Sequence, residues 1–292
     1  MTSKTDEITR EYFNSLLITP RYLDSEIPDI SISMFGRKYD TPVMTAALSH
    51  LNNTCEDGMV EYAKAAKLSG AMHFVGMGED EELERIIATG ADTVKIIKPH
   101  ADDKEIFRKI EHAVSNGAIA VGMDIDHAIS SNGDYDVVLG LPMKAKSTAQ
   151  LKEYIDASKV PFIVKGVLSA KDAEKSVEAG AAAILISHHH GIMDCMVPPL
   201  MVLPEIVKAV NGKAKIIVDC GFESGMDVFK ALALGADGVG IGRHLMGPLK
   251  QGHQGVYDRI QEINNELKCV MARTGAKSIS EIDPSVIRYR AF

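Results

Sequence analysis

Lysine, histidine and carboxylate side chains follow short apolar runs of this 292-residue chain. Lys165 follows Phe162-Ile163-Val164, and its amine suits imine chemistry, pairing with a phosphate, or stabilisation of negative charge on a cofactor ring. The polar residues that follow the other runs are Ser49, His50, Lys98, Asp124, Asp126, His127, Ser187, Asp219 and Arg243. Polar side chains gathered at the carboxyl ends of strands indicate an enzyme.

Three consecutive histidines, His188, His189 and His190, invite a metal-site interpretation. However, neighbouring residues of an extended segment face opposite ways, so His188 and His190 share one side and His189 takes the other. We therefore predict no metal and favour a general base among the three, with Asp124 orienting it and raising its pKa. Histidines that only satisfy backbone groups are the alternative.

Two glycine-bearing loops suit a phosphate group. The first is Asp219-Cys220-Gly221-Phe222-Glu223-Ser224-Gly225, and the second is Gly240-Ile241-Gly242-Arg243. Together they offer exposed backbone N–H groups, a helix start and a guanidinium. The alternative is tight strand-to-helix turning without a ligand.

A repeated pattern sets the fold: an amphipathic stretch, a Gly-Ala pair, then an unalternated apolar run. The pairs are Gly70-Ala71, Gly90-Ala91, Gly117-Ala118, Gly180-Ala181 and Gly235-Ala236. Each glycine suits a helix C-cap, and each run is typical of a strand buried on both faces. The repetition predicts a single-domain α/β fold, a (β/α)8 TIM barrel, with an open doubly wound sheet as the alternative.

The elements follow from the same pattern. Eight strands are predicted: Val43 to Ala46, Met72 to Val75, Thr93 to Ile97, Ile119 to Met123, Phe162 to Val164, Ala183 to Ile186, Ile216 to Val218, and Val239 to Ile241. Helical spacing spans Asp57 to Leu68, Glu81 to Thr89, Lys104 to Asn116, Ala149 to Ser158, Ala170 to Ala179, Met201 to Val210, Met226 to Leu234, and a further helix from Val256. We divide the chain into an N-terminal extension, 1–40, and a barrel with a C-terminal tail, 41–292.

Composition and net charge indicate which class of partner the protein binds. Hydrophobic residues make up 46% and charged residues 25%, as in ordinary globular proteins. The net charge of -8 disfavours binding of nucleic acid and anionic membranes, so we expect a small-molecule substrate. Four scattered cysteines without a CxxC pair, a polar start, and no apolar run long enough to span a membrane predict a cytoplasmic protein.

Three stretches of the chain resemble the FMN-dependent α-hydroxy-acid oxidases and dehydrogenases, which include glycolate oxidase, lactate oxidase and flavocytochrome b2. They are Val164 to Ala173, Ser187-His188-His189, and Asp227 to Ala236 running on to Gly242-Arg243. The resemblance covers about Pro20 to Leu249 and implies the same barrel, with FMN as cofactor.

The resemblance also implies roles for individual residues. His189 would be the base that takes the hydroxyl proton while hydride leaves for the flavin, and Asp124 would be its paired carboxylate. Lys165 would lie near flavin N1 and O2, where reduction builds negative charge. The remaining cofactor contacts implied are Ala46, Ala47, Ser187, Asp219, Gly221, Gly242 and Arg243.

Three departures from the family pattern bear on ligands. Ile192 stands where an arginine clamps the substrate carboxylate, Lys98 where a tyrosine is usual, and Glu223 where an arginine binds phosphate. We therefore expect an atypical substrate, with a replacement cation among Lys98, His127 and His190. Residues 130–146 are a candidate lid.

Two other functions stay open from the residues: a flavin-free lyase or aldolase that forms an imine on Lys165, and a barrel that holds FMN or a phosphorylated metabolite without turnover. The family resemblance also implies a homo-oligomer, a tetramer by analogy.

Overall fold

Eight short apolar runs form parallel strands that close into a barrel, in a computed structural model that describes residues 3–290. The strands, labelled β1 to β8, are Val43–Leu48, His73–Val75, Thr93–Ile97, Ala120–Asp124, Phe162–Val167, Ala183–Ile186, Lys215–Val218 and Gly238–Ile241. Closure is made by β8 against β1, with Ile241 opposite Thr45. The predicted (β/α)8 barrel is confirmed, and the open sheet is excluded. Residues 1, 2, 291 and 292, at the outer ends of the predicted extension and barrel ranges, lie outside the described residues.

Helices lie between the strands and beyond them. In chain order, α1 to α10 are Lys4–Ser15, Gly58–Leu68, Asp80–Ala88, Asp103–Ser115, Thr148–Ser158, Ala170–Ala179, Pro199–Val210, Gly225–Ala233, Arg243–Leu249 and Gly252–Thr274. Short 3-10 turns are Leu51–Asn53, Ile279–Glu281 and Pro284–Val286. Ser169 and Ser224 each accept a hydrogen bond from the backbone N–H three residues later, which caps α6 and α8. Gly180 ends α6 at φ +102°, the left-handed conformation that the Gly-Ala pattern predicts.

The strands lack alternation of apolar and polar residues because each lies between two apolar layers. Side chains such as Phe74, Ile163 and Leu185 fill the barrel interior, whereas Val121, Val164 and Ile184 pack outward against the helices. Because both faces of each strand are buried, both must be apolar. The polar residues are therefore left to the strand ends.

Three two-stranded sheets lie outside the barrel among the described residues. An antiparallel hairpin, Ile32–Met34 with Arg37–Tyr39, sends Met34 and Tyr39 into the interior cluster. Strand Leu16–Ile18 pairs with Ile287–Tyr289, so the two ends of the described chain meet. A second hairpin, Val137–Val138 with Leu141–Pro142, lies within the loop after β4.

Among the described residues, no helix has both the length and the apolar character that crossing a bilayer requires.

His73 of β2 gives the barrel interior a pH-dependent stability. Its Nδ1 lies 2.7 Å from Thr45 Oγ1, its Nε2 has no hydrogen-bond partner, and burial lowers its pKa from 6.5 to about 3. Below about pH 6.5, His73 therefore binds a proton in the unfolded chain but stays neutral in the folded chain. The free energy of unfolding consequently falls as the pH falls. We expect His73→Gln to reduce the slope of unfolding free energy against pH by up to about 1.4 kcal/mol per pH unit between about pH 6 and pH 4.

The measurement is urea denaturation across that pH range, with wild type and variant compared. Above about pH 7.5 the two slopes should coincide, because His73 is then neutral in both states. Equal slopes at acidic pH would contradict the prediction.

Candidate active site

A single carboxylate binds two lysines at the mouth of the barrel. Asp124 is the last residue of β4, and the strand register sets it opposite Lys165 of β5. Its Oδ1 lies 2.8 Å from Lys165 Nζ, and its Oδ2 lies 2.7 Å from Lys98 Nζ, just beyond β3. All three side chains are at least nine-tenths buried. The lysine ammoniums thus occupy both carboxylate oxygens.

Asp124, Lys165 and Lys98 shift one another's pKa values. Burial raises the pKa of Asp124, but the two lysines more than reverse that effect and hold it well below its ordinary value. Burial lowers the pKa of Lys165, but Asp124 more than reverses it and holds the pKa above its ordinary value. The pKa of Lys98 stays lowered, because its burial outweighs its attraction to Asp124. Asp124 is therefore ionised and Lys165 is an ammonium.

His189, after β6, lies against this group. Its Nδ1 is 3.0 Å from Lys165 Nζ, 3.3 Å from Asp126 Oδ2 and 3.7 Å from Asp124 Oδ1. Asp126 is therefore the nearer carboxylate, and its Oδ1 is buried without a hydrogen-bond partner. A Cβ at Gly166 would lie 2.5 Å from Asp126 Cγ, so only glycine at 166 lets the carboxylate approach. Lys165, Asp124 and His189, predicted together, do lie together.

His127 stands on the other side of the His189 ring. The two Nε2 atoms are 3.1 Å apart, and the rings meet edge to face. Burial, with help from the nearby Lys98 charge, lowers the pKa of His127 to about 4. His127 is thus neutral near pH 7, when it can donate or accept one hydrogen bond at Nε2 but supplies no positive charge.

The other two histidines turn towards α1. His188 Nε2 lies 2.9 Å from Thr9 Oγ1, and its Nδ1 accepts the His190 backbone N–H. His190 Nδ1 is 3.1 Å from Asp6 Oδ1, and the ring also contacts Arg243. Both His189 and His190 have positive φ, 52° and 55°, which breaks the extended geometry assumed for the triplet. His190 therefore lies apart from Lys98 and His127, with which it was grouped.

Within residues 3–290, potential metal ligands lie close together in two places. The trios are His188, His190 and Cys220, and Asp126, His127 and His189, each with ligand atoms within 4.8 Å of one another. In the first trio, both ring nitrogens of His188 already have partners. In the second, the Lys165 ammonium touches His189 and disfavours a second cation there.

A cavity of about 670 Å³ opens beside the ends of β7 and β8. Its lining includes Asp6, Arg10, His190, Cys220, Gly221, Glu223, Gly240, Gly242 and Arg243. The predicted contact residues Ser187 and Asp219 are buried next to it, where Cys220 Sγ lies 3.4 Å from Ser187 Oγ and 3.0 Å from Asp219 Oδ1. The two loops predicted to bind a phosphate therefore border one cavity.

A second cavity of about 520 Å³ lies at the ends of β2 and β3. Lys98 lines it, together with His50, Lys95 and His100, and the loop residues Leu139 and Leu141. Burial lowers the pKa of Lys95 to about 8, and its Nζ donates to the Gly76 carbonyl oxygen. The candidate lid, 130–146, thus forms part of the wall next to Lys98.

Helix α1 contributes to the rim of the barrel, a role that was not predicted from the sequence. Asp6, Thr9 and Arg10 contact Arg243, His188 and Asp227 respectively, although residues 1–40 were described only as an extension. Ser3 caps the helix by accepting the Asp6 backbone N–H. That Ser-x-x-Asp spacing is the local signal that could have revealed α1.

The donor set fits FMN. The cavity volume lies within the range of about 300–1,000 Å³ typical of cofactor sites. Cβ atoms added at Gly240 and Gly242 would each approach Ala46 Cβ to 3.4 Å, so the glycines keep the face between β8 and β1 open. Arg243 provides a guanidinium for a phosphate, and Lys165 a buried ammonium for charge on a ring. Ala47 borders the same end of β1.

Comparison with known proteins identifies the family. The FMN-dependent dehydrogenase family model matches residues 1–155 and 143–289. L-Lactate oxidase of Lactobacillus jensenii is 31% identical over 94% of this chain and 76% of its own length. Glycolate oxidase of Spinacia oleracea is 28% identical over 95% of this chain and 86% of its own.

Solved structures of oxidases are also similar to this chain. A mandelate oxidase with (S)-2-phenylpropionate superposes with a TM-score of 0.88 at 26% identity, covering 99% of this chain and 90% of the other. A lactate oxidase of Pediococcus acidilactici gives 0.88 at 27% identity, covering 99% and 87%. With the cavity, the buried lysine and the barrel, these findings show that the chain belongs to the FMN-dependent dehydrogenase family, of the α-hydroxy-acid oxidase type, and is an FMN-dependent oxidoreductase that acts on CH–OH donors.

Proposed function

We propose that the protein oxidises a 2-hydroxy acid or a related alcohol, with His189 as the base and Lys98 as the partner of the substrate anion. The observation that carries the proposal is the contact of His189 with both Lys165 and Asp126, at 3.0 Å and 3.3 Å from Nδ1. A base, an orienting carboxylate and a stabilising ammonium thus meet at one point.

The basic nitrogen follows from the partners of the ring. Asp126 can only accept a hydrogen bond and the Lys165 ammonium can only donate one, so the two contacts of His189 Nδ1 favour opposite tautomers. Lys165 already donates to Asp124 at 2.8 Å, so we assign the Nδ1 proton to the hydrogen bond with Asp126 Oδ2. Nε2 is then the unprotonated nitrogen that takes the substrate hydroxyl proton. Neutral His127, 3.1 Å from that nitrogen, can orient the hydroxyl without repelling the imidazolium that forms. When bound, FMN supplies the acceptor for the hydride.

Asp124 acts on Lys165 more directly than on the base. It fixes the ammonium at 2.8 Å and favours its charged form, which is the form that stabilises negative charge on a reduced ring. We therefore assign Asp124 the positioning of Lys165, and propose Asp126 as the carboxylate paired with His189.

The substrate anion needs a cation other than residue 192, which is Ile192. Among the three replacements considered, His127 is neutral and His190 pairs with Asp6, next to Arg243. Lys98 borders a cavity of about 520 Å³ and joins the His189 group through Asp124. These contacts favour Lys98 and a substrate that enters beside the 130–146 loop.

The two rival functions are less well supported. An imine-forming lysine must be a free amine, whereas Asp124 raises the pKa of Lys165. A barrel that only binds a flavin has no need of His189 and Asp126 at hydrogen-bond distance.

The scattered cysteines favour a cytoplasmic protein, and the family resemblance favours a homotetramer; we propose both on those grounds.

His189→Ala should lower the rate of flavin reduction by substrate about 10²- to 10⁴-fold, because the hydroxyl proton loses its acceptor. The measurement is anaerobic stopped-flow bleaching of the flavin with a panel of 2-hydroxy acids. The visible spectrum of bound FMN should persist, and His112→Ala on the outer helix α4 should behave like wild type. Undiminished bleaching in His189→Ala would remove His189 from the role of base.

Lys98→Met should lower kcat/KM for a hydroxy acid about ten- to a hundredfold, because a charge-assisted bond to the carboxylate is lost. The corresponding hydroxy amide, which carries no charge, should lose much less. Exposed Lys104→Met is the matched control. Equal losses for acid and amide would show that Lys98 does not select for the anion.

A further inference from the structure

The cavity beside β7 and β8 is acidic for a phosphate site. Its lining carries four carboxylates, Asp6, Glu7, Glu11 and Glu223, against the two guanidiniums of Arg10 and Arg243. Glu223 occupies the position where the family resemblance implies an arginine. A second guanidinium beside Arg243 would strengthen the binding of a phosphate against these carboxylates.

Arg243 is already engaged by α1 and by a histidine. Its Nη2 donates to Asp6 Oδ1 at 2.7 Å and also contacts His190. Burial raises the pKa of Asp6, but Arg243 and His190 more than reverse this and lower it to about 2, so Asp6 is ionised. Any phosphate must share Arg243 with this carboxylate.

Arg10 enters the same cavity from the neighbouring turn of α1. Its two Nη atoms lie 2.8 Å and 3.1 Å from the oxygens of Asp227, a bidentate pair that fixes the guanidinium plane. Nη1 is 3.4 Å from the Gly221 carbonyl oxygen, on the first phosphate loop. Nε is buried and has no hydrogen-bond partner. Arg10 is therefore held in place with a donor to spare.

Glu223 lies close enough to pair with the same guanidinium. Its Oε2 is 3.6 Å from Arg10 Nη1, and its side chain is 55% exposed, so it can swing into solvent. Arg259 is the other arginine nearby, but it is occupied by His244, Glu262 and the Glu223 carbonyl oxygen. Arg10 is the better-placed cation.

We propose that Arg10, supplied by α1, is the second guanidinium of the FMN phosphate site and replaces the arginine absent at residue 223. Asp227 positions it. The proposal rests on FMN as the cofactor, but on no particular substrate.

The test compares FMN with riboflavin, which differ only by the phosphate. The full-length chain, freed of flavin, is titrated with each, and quenching of flavin fluorescence gives the two dissociation constants. Arg10→Lys and the double variant Arg10→Gln/Asp227→Asn, which leaves no unpaired buried carboxylate, should lose about ten- to a hundredfold in FMN affinity. Riboflavin affinity should not change.

Two further variants sharpen the result. Adding Glu223→Arg to the double variant should restore most of the preference for FMN, because the guanidinium then comes from the loop itself. Arg37→Gln is the matched control, since Arg37 also pairs with an aspartate, Asp92, but lies at the hairpin outside this cavity. It should leave both affinities unchanged.

Three outcomes would overturn the assignment. An equal loss for both flavins would mean that Arg10 only supports the fold. An unchanged preference for FMN would mean that it does not meet the phosphate, and loss of that preference in Arg259→Gln but not in Arg10→Lys would move the role to Arg259. A wild-type chain that binds neither flavin would overturn the cofactor itself, which is a separate failure.

Discussion

The pairing of two buried lysines with one carboxylate constrains the whole mouth of the barrel. Ammonium groups removed from water are costly unless a counter-charge lies at hydrogen-bond distance, and Asp124 alone provides one to both Lys98 and Lys165. The strand register sets one half of this arrangement, because Asp124 and Lys165 are direct neighbours on β4 and β5. With both its oxygens engaged, Asp124 leaves His189 to the next carboxylate, Asp126. In the proposed assignment, charge balance thus gives Asp124 to the two lysines and Asp126 to His189.

The helix α1 extends the site beyond the barrel itself. Asp6, Thr9, Arg10 and Phe13 lie at intervals of three, four and seven residues, so they share one face of the helix. That face contacts residues after β6, β7 and β8, and Lys230 of α8 donates to the Phe13 carbonyl oxygen. A Cβ at Gly221 would lie 2.7 Å from Thr9 Cγ2, so the loop carries glycine where the helix packs on it. The rim of the phosphate cavity is therefore built from two distant parts of the chain.

The sequence predicts what local physics determines. Helix ends at Gly-Ala pairs and apolar runs buried on both faces are local features, and the eight strands lie within two or three residues of their predicted bounds. The gathering of Lys165, Asp124 and His189 also follows, because parallel strands end at one rim. Which aspartate lies nearer to His189 does not follow from the sequence. His189 Nδ1 is 3.7 Å from Asp124 Oδ1 and 3.3 Å from Asp126 Oδ2, and this small difference depends on how the lysines orient the Asp124 carboxylate. Nor do the contacts of α1, which join residues about 180 to 240 positions apart.

The proposed role of Lys98 accounts together for two departures that the family resemblance implies, Ile192 in place of an arginine and Lys98 in place of a tyrosine. An anionic substrate group held by a cation after β6 would lie on the His189 side of the mouth; the same group held by Lys98 lies on the β3 side, beside a cavity walled by the 130–146 loop. The reacting carbon can still face His189, because Asp124 ties Lys98 to the same group. Lys98 is also a weaker clamp than an arginine, since it is a point charge without a bidentate fork and already shares Asp124. In the proposed site, the substrate is selected less by its carboxylate and more by what the 130–146 loop encloses.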